Sequence, residues 1–188
     1  MLGKISAWIR KRSTTAVTLG GFAVFVFFLV WVLPRQAQAI EQERADMASP
    51  DGSFLYSAQD IYNMADNYGP EGRADYIRER FTFDLIWPAA YMVFLSTSLS
   101  WLFRRLQSDR DWLRILNLVP VLGGLLDYLE NVAAAIVMWR FPMRLDAIAW
   151  LASLFTPLKW VMIGGSFVLL TAGGALIIWQ QSVERMTR

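Results

Sequence analysis

Residues 15–33 run for 19 positions without a charged side chain. At about 1.5 Å per residue, a helix of that length crosses a hydrocarbon layer of roughly 30 Å, in which the backbone has to satisfy its own hydrogen bonds. Three further apolar stretches follow, at 83–103, 115–139 and 148–179. A soluble domain has no place to hide four such runs in 188 residues, least of all one with 55% hydrophobic residues and nine Trp. The expected fold is therefore all-α, an integral membrane four-helix bundle with a partly helical extracytoplasmic loop.

Lys and Arg in the short flanks orient the spans. Lys4, Arg10, Lys11 and Arg12 precede the first; Arg104, Arg105, Arg110 and Arg114 lie between the second and third; Arg185 and Arg188 end the chain. These three regions fall on one side. The expected order is a basic cytoplasmic N-terminus (1–14), a first span (15–33), an extracytoplasmic loop (34–81) and a second span (83–103). A cytoplasmic loop (104–114), a third span (115–139), an outer turn (140–147), an interfacial segment plus fourth span (148–179) and a cytoplasmic tail (180–188) complete it. The orientation this implies is N-in and C-in. The last apolar stretch would measure about 48 Å as one helix, more than a bilayer, so a division with a kink is expected near Pro157. The first segment also reads as a secretory signal ending at Ala37-Gln38-Ala39. An apolar part longer than about 7–15 residues, and Arg35 in the cleavage region, favour a retained anchor; cleavage would leave three spans.

The outer loop carries its own signals. Ser57 and Asp60 have capping-box spacing, and Ile61, Met64, Ala65 and Tyr68 recur at helical intervals, which predicts a short amphipathic helix ending at Gly69-Pro70. From Gly72 onward only Pro88 interrupts the pattern, so a second helix is expected to project from the membrane into the next span. The small pairs Gly20-Gly21, Gly123-Gly124, Gly164-Gly165 and Gly173-Gly174, with Ser96 and Ser100, suit close helix approach. Trp87, Trp101, Trp112, Trp139, Trp150 and Trp179 fall near span ends, as interfacial anchors do.

Against this apolar background, Asp127, Glu130 and Asn131 stand inside the third stretch and share one helix face. Ionised groups at a bilayer centre cost about 2.5–3.5 kcal/mol each, so these face the bundle interior. Two acids so close are not both ionised unless a cation intervenes. Lys159 is the only basic residue within an apolar span, and both helices count to a similar depth. Ser153, Thr156 and Trp160 put a polar stripe beside it; Asp84, Pro88 and Tyr91 repeat the pattern in the second span. The candidates for ligand binding or proton relay are thus Asp84, Tyr91, Asp127, Glu130, Asn131, Thr156 and Lys159. The bland alternative is interhelical glue that fixes register.

The chain contains no Cys and no His, which removes disulfides, thiol nucleophiles, Cys/His zinc sites, His-ligated haem and a Ser-His-Asp triad. No glycine pair resembles a phosphate loop. No metal and no cofactor is expected, and a net charge of +2 without a basic stripe argues against nucleic acid.

In combination, Tyr68-Gly69-Pro70-Glu71-Gly72-Arg73-Ala74-Asp75-Tyr76, Asp84 with Pro88 and Tyr91, Asp127-Tyr128-Leu129-Glu130-Asn131, and Ser153 with Thr156, Lys159 and Trp160 resemble a widespread set of small, uncharacterised bacterial four-span membrane proteins. The likeness covers about residues 57–160. It implies a four-helix membrane fold and the grouping of these positions, and it supplies no activity. Within it, Arg73 and Tyr76 suggest a lid, and Tyr76, Arg80 and Asp84 form a polar line at i+4 steps. A solvated helix face is the expected setting of Arg80.

The leading functional expectation is a non-enzymatic membrane protein with a polar pocket in the outer half of the bundle. It would bind a small polar or amphiphilic ligand, a lipid or an ion, or relay protons. A structural or accessory subunit of a larger membrane complex, with a membrane-protein partner or as a homo-oligomer, is the alternative. An intramembrane enzyme using the carboxylate pair as acid and base ranks last.

Overall fold

The computed structural model of the chain describes residues 1–43, 54–106, 113 and 115–186. Expectations placed on Arg110, Trp112, Arg114 and Arg188 lie outside the described residues. Among the described residues the only regular structure is helical: α1 (Leu2–Arg12), α2 (Thr15–Phe27), a π-helical turn (Phe28–Val32), α3 (Leu33–Glu43), α4 (Ala58–Arg80), α5 (Phe83–Arg105), a 3₁₀ turn (Leu116–Leu118), α6 (Val119–Arg140) and α7 (Asp146–Met186). Four helical stretches are long and apolar enough to cross a membrane: Thr15–Gln38, Ala58–Arg105, Leu116–Arg140 and Asp146–Met186.

Two of the boundaries differ from the sequence expectation, and proline chemistry accounts for one of them. The first helix does not stop at Leu33. It passes through Pro34 after a π turn in which the Leu33 N–H reaches back to the Phe28 carbonyl, an i→i−5 bond. Proline has no N–H for the carbonyl four residues earlier and its ring crowds that group. That group belongs to Val30, inside the π turn, where the wider register makes room for the ring. The second difference is α7, which is one helix from Asp146 to Met186 with Pro157 inside it.

The chain forms two compact units. The first comprises Met1–Phe25, Ala90–Gly123 and Val161–Arg188. Its core contains Leu99, Leu102 and Phe103, packed by Leu116, Leu169, Leu170 and Ile177. Phe25 stacks on Phe94 at 4.8 Å. A Cβ on Gly21 would lie 3.3 Å from the Phe94 Cα, and one on Gly123 would lie 3.2 Å from Ile163 and Met162; one on Gly173 would overlap Leu102. Gly20, Gly164, Gly165 and Gly174 face open space, so only part of the small-residue set works at helix contacts. Ser96 and Ser100 are buried, and Asn117 Nδ2 donates to Ser100 Oγ at 2.9 Å.

The second unit comprises Val26–Ala89 and Gly124–Trp160. α4 starts at the expected capping box: the Ser57 N–H donates to Asp60 Oδ2 at 2.7 Å, and the Asp60 N–H donates back to Ser57 Oγ at 3.3 Å. The Ser57 backbone and hydroxyl hydrogen bonds hold the exposed Asp60 carboxyl below its ordinary pKa of 3.8. The first half of α4 ends where expected, at Gly69, whose φ of 63° and ψ of −178° turn the chain before Pro70 starts the second half. Ile61, Met64, Ala65 and Tyr68, the apolar face read from the sequence, are buried with Tyr76 against Ala133, Ala134, Val137 and Met138 of α6 and Ala149 and Ala152 of α7. The segment expected as a loop is therefore a packed layer, clamped further by the Leu145 N–H donating to Tyr62 Oη at 2.5 Å.

α6 shows an inverted polarity. Leu125, Leu129 and Val132 lie on its exposed face, whereas Asp127, Glu130 and Asn131 are 7%, 4% and 3% exposed. In α7, Ala149, Ala152 and Thr156 are buried while Trp150, Leu151 and Leu158 are exposed. Polar groups inside and apolar groups outside is the reverse of a soluble helix.

Candidate functional site

Polar residues of the second unit collect on the inward face of α6, where positions 127, 130 and 131 lie within one helical turn of each other. Lys159 comes to them from α7. Its Nζ lies 2.9 Å from Asp127 Oδ1 and 2.8 Å from Glu130 Oε2, with side-chain exposures of 12%, 10% and 5% for the three residues. One ammonium thus holds two carboxylates. Tyr56, in the residues leading into α4, donates its hydroxyl to Glu130 Oε1 at 3.2 Å.

A second charged group builds on Asn131. Arg80, near the end of α4, donates to Asp84 Oδ2 at 2.7 Å, to Asn131 Oδ1 at 3.2 Å and to the Tyr76 hydroxyl at 2.9 Å. Its guanidinium carbon also lies 4.4 Å from the centroid of the Tyr76 ring. The expectation of a solvated face for Arg80 is corrected here, since the residue is 6% exposed. Its planar fork serves these three partners from two nitrogens, Nη1 toward Asp84 and Asn131 and Nη2 toward Tyr76. The Asn131 Nδ2 has no hydrogen-bond partner among the described residues.

Thr156 is buried, adjoins Glu130 with its hydroxyl and donates to the Ala152 carbonyl at 3.2 Å; the remaining sequence candidates have separate settings. Tyr91 is 2% exposed and belongs to the first unit. Arg73 donates to the Ala65 carbonyl at 2.8 Å across the Gly69 turn and sits over the Phe141 ring, and Tyr76 is buried beside Tyr68. Both are anchored within the packed layer. Ser153 bonds back to the Trp150 carbonyl.

Sequence reasoning gave no role to Tyr56 and Tyr128 and left Arg80 out of the site. Tyr128 donates to the Leu85 carbonyl at 2.7 Å, tying α6 to α5 within the unit. Arg80 had a signal, the i+4 line from Tyr76 to Asp84. Tyr56 had none, because its partner is 74 residues away and no local spacing rule reaches that far.

Chemically, the Lys159 group is an ion cluster with two acids to one base. The two carboxylates share one ammonium, and Glu130 also accepts the Tyr56 hydroxyl. Among the described residues no group of three His, Cys, Asp or Glu side chains is placed to hold a metal ion. Comparison of the chain with protein-family models, curated proteins and solved structures yields no match.

Proposed function

We propose that the chain is a multi-pass protein of a bacterial cytoplasmic membrane, with both termini cytoplasmic, that takes up a proton or small cation at Lys159, Asp127 and Glu130. Support for the membrane comes from the four apolar helical stretches and from α6 and α7, which turn leucine, valine and tryptophan outward and charge inward. The observation that carries the site is the charge ratio. Two buried carboxylates against one ammonium leave one negative charge in excess, and a low-dielectric interior demands that a proton or cation neutralise it. Tyr56 supplies the way in: it is only half-buried and its hydroxyl meets Glu130, linking the cluster to the outer surface. Because the ammonium already lies in direct contact with both carboxylates, an ion suits the site better than a bulky amphiphile.

The test is proton- or cation-coupled flux in reconstituted vesicles. Glu130→Gln removes the excess charge and should abolish uptake. Tyr56→Phe should slow it while leaving the fold intact. Unchanged flux in both variants refutes the reading.

A second reading is favoured by the same bridge. Lys159 held by both acids is also a clamp between α6 and α7, as in a structural or accessory subunit of a membrane complex or homo-oligomer. In that case, replacing all three charged residues by apolar ones leaves a stable protein and an intact complex with stoichiometric partners.

A further inference from the structure

α1 has the sequence LGKISAWIRKR, and its packing within the first unit uses one narrow edge. Ser6 and Ser13, about 20° apart around a helix axis, are fully buried. Asn117 Nδ2 donates to the Ser6 carbonyl at 3.2 Å, and Arg104 donates to the carbonyls of Arg10 and Ser13. These contacts are polar and reach the backbone, so they hold the helix without covering its apolar side chains. Leu2, Ile5 and Trp8, at successive i+3 steps, stay 61%, 42% and 61% exposed. Lys4 and Lys11 border this stripe on the Trp8 side, and the Arg12 guanidinium lies 5.7 Å from the Trp8 ring centroid.

We propose that α1 is an in-plane anchor that docks Leu2, Ile5 and Trp8 into the cytoplasmic leaflet and binds anionic phospholipid headgroups through Lys4, Lys11 and Arg12. The inference rests on the membrane reading above. Charge complementarity selects the occupant: the first 40 residues contain no Asp or Glu, so every charge that α1 itself carries is positive. Continuity fixes the place, because the apolar stretch of α2 begins at Thr15, three residues after Arg12, and keeps α1 at the surface where that stretch would enter. An apolar stripe edged by Lys and Arg, with a Trp at the border, is the pattern of helices that lie at a headgroup boundary. Each basic side chain near an anionic surface changes the equilibrium about fivefold.

The chain has no Cys, so single substitutions Ile5→Cys, Lys11→Cys and Val24→Cys in the full-length protein can each carry a nitroxide. In vesicles of phosphatidylcholine with phosphatidylglycerol, labels at 5 and 24 should collide with oxygen more than with a water-soluble nickel chelate, and the label at 11 should show the reverse. Omitting phosphatidylglycerol, or introducing Lys4→Gln with Lys11→Gln, should move position 5 toward water, the double variant by about thirtyfold in the docking equilibrium. Aqueous exposure at 5 with lipid exposure at 24 overturns the anchor and leaves the membrane reading standing; aqueous exposure at both overturns both. Spin–spin broadening at 5 would place a second copy on the stripe and also overturn the proposal. A position 5 that stays in lipid regardless of phosphatidylglycerol and of the two lysines refutes the headgroup binding.

Discussion

Replacing Lys159 by Met tests the ion cluster most directly. Met keeps the length and apolar stem of lysine and deletes only the charge, so the substitution removes the ion pairs at 2.9 Å to Asp127 and 2.8 Å to Glu130 and little else. Two adjacent carboxylates, 10% and 5% exposed, are then left with no ammonium between them. Removing one partner of a buried ion pair costs about 3–5 kcal/mol, because the surviving charge stays desolvated. Unfolding entropy for a chain of 188 residues is on the order of 0.4 kcal/mol/K, so the loss should appear as a melting temperature lower by roughly 10 °C. Glu130→Gln should cost less, since it leaves Lys159 and Asp127 as a balanced one-to-one pair. Adding Asp127→Leu and Glu130→Leu to Lys159→Met should recover most of the loss, because no charge is then left buried. The assay is thermal unfolding of the detergent-solubilised protein followed by circular dichroism, with the single and combined variants closing a mutant cycle. A Lys159→Met protein within about 1 kcal/mol of the parent, or one less damaged than Glu130→Gln, would refute the buried two-acid cluster.

Three smaller perturbations probe the layer that covers it. Gly69→Ala places a Cβ in open space at φ 63° and ψ −178°, so its cost, about 1–3 kcal/mol in the same melt, is backbone strain alone; no loss would mean the turn is not in that conformation. Ser57→Ala should cost about 1 kcal/mol and speed amide exchange in the first turn of α4. Asp60 adds a pH dependence to that cap: its folded pKa lies below 3.8, so the stabilisation is present above that ordinary value and is lost as pH falls through the folded value. The first turn of α4 should therefore open in acid in the parent, and Ser57→Ala should flatten the profile. Arg80→Met strands the Asp84 carboxylate and should destabilise by about 3 kcal/mol, with Arg80→Lys recovering part of it through the Asp84 pair alone; equal stability of all three proteins would refute the fork assignment.

The parts legible in sequence are those governed by local periodicity. The Ser57 cap, the face of Ile61, Met64, Ala65 and Tyr68, and the stop at Gly69-Pro70 each follow from rules that span fewer than about eight residues. Asp127 and Glu130 could be placed on one face for the same reason. Their meeting with Lys159 was readable only as a match of depth, an argument from helix rise with no information on rotation. At Arg80 a nonlocal partner, Asn131, worked against the expectation. Arg80 looks solvated because arginine is usually exposed, yet Asp84 one turn on, Tyr76 one turn back and Asn131 far along the chain together engage its Nη1 and Nη2. Pro157 looks like a division, yet the helix continues through it, and Thr156 and Ser153 bond back to carbonyls in the preceding turn.

The covering layer bears on function through a single geometric consequence. The first half of α4 lies over Ala133, Ala134, Val137 and Met138, the turns of α6 directly after Glu130 and Asn131. Without that cover, the side of α6 toward Trp139 would be open. With α4 in place, the apolar faces of Ile61, Met64 and Ala65 close that route, and the Tyr56 hydroxyl at the helix start becomes the polar contact that reaches Glu130. On the proposed function, access to the cluster is coupled to the docking of α4, whose start is held by the Ser57 cap and whose bend lies at Gly69. A change that loosens either end acts on the same polar link as one at Tyr56 itself, although neither Ser57 nor Gly69 bears a charge.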